Sequence, residues 1–121
     1  MLTRKIEGDS IVFYDGSAAV LTIREKELEE IVTVEMIGEL RSDAVHEVLD
    51  ELVALATVGI NIAADLSGIT YIAPTAQHIF LRTQQKIDSI GSGSLVLIGL
   101  SDTIYQEFEK TGLSELLMIK H

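Results

Sequence analysis

The chain has 121 residues, which is enough for one domain and little more. Hydrophobic residues make up 47% of it, so the chain can build a core and is not disordered as a whole. A formal net charge of −10 argues against a basic groove for nucleic acid, and the absence of cysteine excludes disulfides, thiolate zinc sites and cysteine nucleophiles.

The first thirty residues predict short strands and turns. Two strands are indicated at residues 4–7 and 11–14. The turn sequence Asp15-Gly16-Ser17 then precedes an extended segment over residues 18–23. Residues 25–30 read Glu-Lys-Glu-Leu-Glu-Glu, and we expect them to form an exposed charged connection.

The next thirty residues predict a strand followed by a helix. Residues 31–37 are rich in β-branched side chains, which favours a strand, and residues 38–41 are predicted to end it. Ser42 is a good N-cap for a helix over about residues 43–57, where apolar residues recur at helical spacing. Gly59 is predicted to end that helix.

A buried strand and a second helix follow. Residues 61–66 are an apolar run without alternation, as in a central strand covered on both faces, and Ser67-Gly68 predicts a turn after it. Pro74 suits the first turn of the next helix, because the N–H that it lacks is not needed there. Gly91-Ser92-Gly93 predicts the end of this helix. Its inner stripe is predicted to comprise Ala76, Ile79, Phe80, Thr83, Ile87 and Ile90.

The last thirty residues continue the alternation. Residues 94–99 predict a buried strand and residues 116–119 a final short one. Between them, Ser101 caps a predicted third helix that ends at Gly112. The inward residues of this helix are predicted to be Ile104 and Phe108. The order from residue 31 is therefore β-α-β-α-β-α-β, which predicts an α/β fold: a small mixed β-sheet with helices packed on it, after an N-terminal antiparallel edge.

Signals for catalysis, metal binding or a membrane are weak. His46 and His78 lie on different predicted helices and His121 is the last residue, so we expect exposed histidines and no metal site. Residues 91–94 are glycine-rich, but they follow a helix and precede a strand, which is the reverse of a phosphate-binding loop. Only Asp65 ends a buried strand, where α/β proteins place sites, and it can equally cap the next turn. We therefore predict a soluble cytoplasmic protein that is not an enzyme, holds no cofactor and has no transmembrane segment.

The unusual local feature is the sequence Thr-Tyr-Ile-Ala-Pro-Thr-Ala-Gln-His at residues 70–78, which follows a central strand and opens a helix. A hydroxyl in the first turn of a helix lies near unpaired backbone N–H groups and the positive end of the helix dipole. A phosphate on Thr75 would be accommodated there electrostatically. On spacing alone, the simpler interpretation is that the Thr75 side chain satisfies the helix start.

Several segments become informative when their order and spacing are taken together. Residues 65–72 read Asp-Leu-Ser-Gly-Ile-Thr-Tyr-Ile and precede a helix start of small residues, and residues 34–40 end in Gly-Glu-Leu. Residues 99–102 and 108–113 contain Gly-Leu-Ser-Asp and Phe-Glu-Lys-Thr-Gly-Leu. Over roughly residues 18–120 this pattern resembles the STAS family, the anti-sigma-factor antagonists and related domains. The resemblance implies a small sheet with helices packed on it.

The resemblance also implies a function and a phosphorylation site. Such domains bind a partner, often an anti-sigma factor that is also a protein kinase. In the family, the kinase phosphorylates the second hydroxyl residue of an Asp-Ser-Ser-Gly run, which blocks binding, and a phosphatase reverses the modification. Aligned with that run, Ala73 stands at the Asp and Pro74 at the first Ser. Thr75 stands at the phosphoacceptor and Ala76 at the Gly.

The resemblance further suggests which residues meet the partner. The candidates are Ala73, Pro74, Ala76, Gln77, His78 and Arg41. Arg41 stands where the family often has an acid after Gly-Glu-Leu. If it shares a rim with Thr75, it can pair with a phosphothreonine there, and it can equally be an exposed helix-start residue.

We therefore expect an anti-sigma-factor antagonist-like interaction module of bacterial partner switching, with Thr75 as its phosphoacceptor. Its partner would be an anti-sigma factor resembling a serine/threonine kinase, and the chain would be a monomer or homodimer that binds no nucleic acid. The alternative is a STAS-like scaffold or subunit of a signalling or transporter-associated complex that is never phosphorylated. The domain is predicted over residues 18–121, and residues 1–17 are predicted as an N-terminal extension with room for an extra hairpin.

Overall fold

Seven strands form one mixed sheet, in which the order across the sheet equals the order along the chain. The computed structural model describes residues 2–120. The strands are β1 (Thr3–Glu7), β2 (Ser10–Asp15), β3 (Ala18–Leu28), β4 (Ile31–Leu40), β5 (Asn61–Ile72), β6 (Ser94–Ile98) and β7 (Ile119–Lys120). Strands β1 to β4 pair antiparallel and β4 to β7 pair parallel, which confirms the predicted mixed sheet with its antiparallel edge.

Helices connect the parallel strands. The α-helices are α1 (Val45–Leu55), α2 (Pro74–Ile90) and α3 (Asp102–Thr111), and short 3-10 helices lie at Ser42–Ala44 and Leu113–Glu115. Each crossover moves one strand further in the same direction across the sheet. Because such crossovers are right-handed, all three helices pack on the same face of the sheet. Among residues 2–120, none of these helices has the length and apolar character needed to cross a membrane.

The core lies between the helices and the sheet face that they cover. Alternate residues of β4, β5 and β6 are buried there, and the residues between them are half-buried or exposed. The predicted cover on both faces of residues 61–66 is therefore wrong, since Ala63 and Asp65 point to the side without helices and are only half-buried. From the helices, Phe80 and Phe108 meet in the core with ring centroids 6.1 Å apart.

Strands β4 and β5 are both longer than predicted. β4 continues through Gly38 and β5 through Ser67 and Gly68, so the predicted strand end after Ile37 and the predicted turn are wrong. The physical reason is close approach between strands. A Cβ atom added to Gly38 would lie 2.1 Å from the carbonyl oxygen of Val20. A Cβ atom added to Gly68 would lie 2.9 Å from the side chain of Ile37. These glycines therefore keep a shifted register paired, and they do not end the strands.

The predicted charged connection is also mostly strand. β3 extends to Leu28 and pairs with β4 from Leu21 to Leu28, so the turn between them is confined to Glu29 and Glu30. Alternating side chains of this segment point to opposite faces of the sheet. Lys26 forms an ion pair of 2.6 Å with Glu35 across the two strands, which shows why a charged run is compatible with pairing here.

The first helix begins and ends differently from the prediction. Ser42 opens a 3-10 turn in which the N–H of Ala44 donates to the carbonyl of Arg41 over 3.1 Å, and its side chain does not cap the helix. The α-helical part begins at Val45 and ends at Leu55, four residues before Gly59. The 3-10 turn pairs the N–H of Ala44 without a side-chain cap, which explains the error.

The other helix ends follow the sequence signals. Pro74 occupies the first turn of α2, and Gly91 ends it with a left-handed backbone. The hydroxyl of Ser101 accepts from the N–H of Ile104 over 3.2 Å, and Gly112 ends α3 in the left-handed region. The last strand is shifted to Ile119–Lys120 from the predicted 116–119, because the chain first makes a 3-10 turn after α3.

Candidate functional site at the start of helix α2

The predicted site lies where β5 passes into α2, beside the carboxyl end of β4. The N–H of Ala73 donates to the carbonyl of Leu40 over 2.9 Å, which fixes this junction against the end of β4. Ala73 has extended backbone geometry and makes no capping hydrogen bond with its side chain. The first turn of α2, which begins at Pro74, therefore stands at the edge of the sheet where open α/β folds place their sites.

Thr75 is exposed in this first turn. Its hydroxyl makes no hydrogen bond to any residue between positions 2 and 120. The simpler interpretation, in which Thr75 satisfies the helix start, therefore has no hydrogen bond to support it. Pro74 and His78 are exposed beside it, so two of the predicted partner-binding positions form one accessible surface with the predicted phosphoacceptor.

Three other predicted positions lie underneath that surface. Ala73, Ala76 and Gln77 are buried, the last two completely. The expectation that Gln77 presents its side chain to a partner is corrected, because this side of α2 faces α3. Its Oε1 accepts a hydrogen bond of 2.7 Å from the Thr111 hydroxyl, and its Nε2 has no partner among residues 2–120.

A groove with a volume of about 450 Å³ runs between α1 and α2 beside Thr75. We call it the α1–α2 groove. Its apolar floor is formed by Val45, Leu49 and Ile79. Its polar rim is formed by Ser42, His46, Thr75, His78 and Arg82.

Arg41 is held in place by two carboxylates. Its Nη1 donates to Asp15 over 3.2 Å and its Nη2 donates to Asp43 over 2.9 Å. The hydrogen bond that Arg41 donates to Asp15, together with the hydrogen bond to Asp43 and the charges of both carboxylates, raises the pKa of the Arg41 guanidinium further above its already high ordinary value. Arg41 thus ties the turn between β2 and β3 to the start of α1, and it does not line the α1–α2 groove with Thr75. Pairing with a phosphothreonine would require it to leave these carboxylates.

A second, smaller groove of about 300 Å³ lies on the other side of Pro74, between the end of β5 and α3. It is lined by Tyr71, Thr103, Ile104 and Glu107 among others. Tyr71 is 49% exposed although it is a large aromatic side chain. The start of α2 is therefore a ridge between two grooves, and such a shape suits protein recognition.

His46, His78 and Asp65 belong to three different elements of the fold, α1, α2 and β5. His46 and His78 are exposed, and Nε2 of His46 lies 3.5 Å from a carboxylate oxygen of Asp50. His121 lies outside the described residues. Asp65 accepts from the N–H of Ser67 over 3.0 Å, a contact within β5, because the turn that it was expected to cap is not formed. Within the described chain, no group of three His, Asp or Glu side chains is arranged to hold a metal ion.

Sequence reasoning missed Arg82 and Tyr71. Arg82 lies seven residues after Thr75, so both side chains project from the same face of α2. Helical spacing could have linked them, but the sequence does not show that α1 forms the opposite wall. Tyr71 was included only in a family pattern, and its exposure follows from the extension of β5.

Comparison with known proteins identifies relatives of the whole domain. The sequence model of the family described as STAS domain matches residues 22–121. The anti-sigma-B factor antagonist of Listeria monocytogenes is 30% identical over 102 residues, which cover 84% of this chain and 88% of the relative. The anti-sigma-B factor antagonist of Bacillus subtilis is 27% identical over 99 residues, which cover 82% of this chain and 90% of the relative.

Solved structures share the fold. The anti-sigma factor antagonist SpoIIAA in its unphosphorylated form superposes with a TM-score of 0.68 at 16% identity, over 82% of this chain and 88% of that chain. SpoIIAA of Bacillus in its phosphorylated form gives a TM-score of 0.60. Sheet, helices and sequence pattern thus agree, and the chain belongs to the STAS domain family.

Proposed function

We propose that the chain is an anti-sigma-factor antagonist-like interaction module in bacterial partner switching, and that phosphorylation of Thr75 controls it. The observation that carries this proposal is the exposed hydroxyl of Thr75, which makes no hydrogen bond among residues 2–120, on the ridge at the start of α2. Its partner would be an anti-sigma factor, which the names of the Listeria and Bacillus relatives support, and we propose that this partner resembles a serine/threonine kinase. The chain would act in the cytoplasm by binding and not by catalysis.

Phosphorylation at this position would change the surface without unfolding it. A phosphate adds roughly two negative charges, and these charges are favoured by the positive end of the α2 helix dipole. Because the Thr75 hydroxyl is exposed and makes no hydrogen bond to the described residues, the modification breaks no internal contact. The added charge would repel an acidic partner surface and increase the desolvation penalty of docking. SpoIIAA, which shares the fold, is known in a phosphorylated form.

The departures from the family's Asp-Ser-Ser-Gly run change the start of α2. An alanine at a capping position costs about 0.5–2 kcal/mol relative to Asp. Pro74 fixes the backbone of the first turn, which offsets part of that loss. Gly at the fourth position is replaced by Ala76, which fits because it is completely buried in regular helix.

A charge placed at Thr75 tests the proposal. We expect Thr75→Asp to weaken binding to the kinase-like anti-sigma factor of the same cells by at least about tenfold, measured by titration calorimetry with purified proteins. Thr57→Asp is the matched control, because Thr57 is exposed in the connection before β5, at the opposite end of the sheet. It adds the same charge and should leave the affinity unchanged.

The alternative is a scaffold of the same fold that is never phosphorylated. It is favoured by Ala73 and Pro74, which remove the acid and the first hydroxyl of the family's run. If Thr75→Asp bound as tightly as Thr57→Asp, the scaffold would be the correct account and the switch would be rejected.

We also propose the division into an extension over residues 1–17 and a domain over residues 18–121, with a monomer or homodimer as the working unit.

A further inference from the structure

We propose that the α1–α2 groove receives an acidic segment of the partner that carries an apolar anchor, and that Arg82 holds a carboxylate of this segment. The inference rests on the proposed function, because it names the chemistry of the partner at the same surface. It concerns the wall formed by α1 and the second and third turns of α2, beyond the helix start itself.

The charge of the groove is the reverse of the charge of the chain. Asp and Glu outnumber Lys and Arg by nineteen to nine in the sequence. The groove's lining side chains, all within residues 2–120, nevertheless include Arg82, His46 and His78 and no carboxylate. Asp50, which pairs with His46 over 3.5 Å, lies outside the lining set. A local cationic site in an acidic protein is complementary to a negatively charged ligand.

Arg82 is available for such a ligand. Arg4, Lys26, Arg41 and Lys110 each form an ion pair with a carboxylate of this chain. Arg82 forms no ion pair and no hydrogen bond with any part of the chain that the structure describes. A planar guanidinium can bind a carboxylate with two parallel hydrogen bonds, which makes arginine a strong anchor at protein interfaces.

The floor of the groove supplies the apolar part of the recognition. Val45 and Leu49 are half-buried, and Ile79 closes the floor between the two helices. An aliphatic side chain of the partner would cover these residues and remove apolar surface from water. A volume of about 450 Å³ is sufficient for a few side chains of an extended or helical segment.

This arrangement also explains how one phosphate can act on the whole groove. Thr75, His78 and Arg82 are separated by three and four residues, so they share one face of α2. A phosphate on Thr75 would lie in the groove and compete with the acidic segment for Arg82.

A peptide titration tests the inference without a kinase or an anti-sigma factor. The probe is the peptide Glu-Asp-Leu-Glu-Asp-Leu-Glu, added to the 15N-labelled full chain at low salt. We expect saturable amide shifts in residues 42–49 and 75–82. The amide version, with Gln and Asn in place of Glu and Asp, should bind at least about tenfold more weakly because it lacks the charge. Equal binding of both peptides, shifts centred elsewhere or no shifts would each overturn the inference.

Two charge reversals on α2 provide the matched control. Arg82→Glu should weaken binding of the acidic peptide by at least about tenfold. Lys86→Glu should change its affinity by less than about twofold, because Lys86 is exposed one turn further along the helix and does not line the groove. Equal losses in the two variants would show non-specific attraction and reject the role of Arg82. The acidic peptide can fail to bind while Thr75→Asp still weakens binding to the partner strongly. That combination would reject the acidic segment and keep the phosphorylation switch.

Discussion

Single residues at the start of α2 divide into an exposed set and a buried set. Thr75 and His78 face solvent, whereas Ala76 and Gln77 are completely buried. The hydroxyl of Thr75 makes no hydrogen bond to residues 2–120, while the amide of Gln77 connects α2 to Thr111 of α3. Changes in the exposed set should therefore alter binding, and changes in the buried set should alter stability.

Gln77 provides the residue-scale prediction. Gln77→Ala removes a buried hydrogen bond and leaves a cavity between α2 and α3, so we expect the free energy of unfolding to fall by about 1–3 kcal/mol. Urea denaturation followed by circular dichroism measures this loss. Gln85→Ala is the control, because Gln85 is an exposed residue of the same helix. It should change the free energy of unfolding by less than about 0.5 kcal/mol. A Gln77→Ala protein as stable as Gln85→Ala would contradict the buried role of this amide.

The sequence was sufficient to place Thr75 in the first turn of a helix but not to predict its surroundings. Its position followed from a family pattern and from Pro74, which marks the first turn of a helix. The burial of Gln77 could not be predicted, because a polar side chain at that position is ordinarily assigned to the solvent face. Arg82 was missed for a different reason, since its importance depends on the approach of α1, a tertiary contact that no local pattern records.

At the scale of secondary-structure elements, β3 meets α1 through a cluster of charges. Arg4 of β1 pairs with Glu51 of α1 over 2.9 Å, and Glu25 of β3 lies on the same side. Partial loss of solvent around the Glu25 carboxyl, followed by the charge of Glu51 and a hydrogen bond with it, raises the pKa of Glu25. The residue as a whole is nevertheless exposed, so the effect on stability is moderate.

This cluster predicts a pH dependence of stability. A carboxyl whose pKa is raised by folding binds more protons in the native state, so its contribution favours folding at low pH and is lost as pH rises through the raised value. Glu25→Gln should therefore be more stable than the parent protein at pH 7, and this advantage should vanish near the ordinary pKa of a glutamate. Urea denaturation across this pH range measures it, with Glu27→Gln, two residues further along β3, as the control. An equal gain in both variants would assign the effect to net charge alone.

The order of elements was predictable, and several of their ends were not. Alternation of apolar patterns gave the three crossovers, and Gly91, Ser101 and Gly112 marked helix ends where the structure has them. Gly38 and Gly68 misled the prediction, because glycine indicates a turn as readily as it allows two strands to approach. The sequence contains no signal that separates these two uses, since the difference lies in the backbone of a neighbouring strand.

At the scale of the whole molecule, the candidate surface follows from topology. All three helices cover one face of the sheet, and the carboxyl ends of the parallel strands meet at one edge. The junction after β4 and the junction after β5 are neighbours there, so the start of α2 is flanked by one groove on each side. Strands β1 to β3 lie on the other side of β4, away from β5. Phe13 of β2 is completely buried in the common core.

The most direct test is peptide mass spectrometry of the protein purified from its native cells under growth and under stress. If phosphorylation of Thr75 controls binding, we expect a phosphate on Thr75 in a fraction of the molecules, and a change in that fraction between conditions. Complete absence of phosphate at Thr75 in every condition would contradict the switch and leave a constitutive binding module.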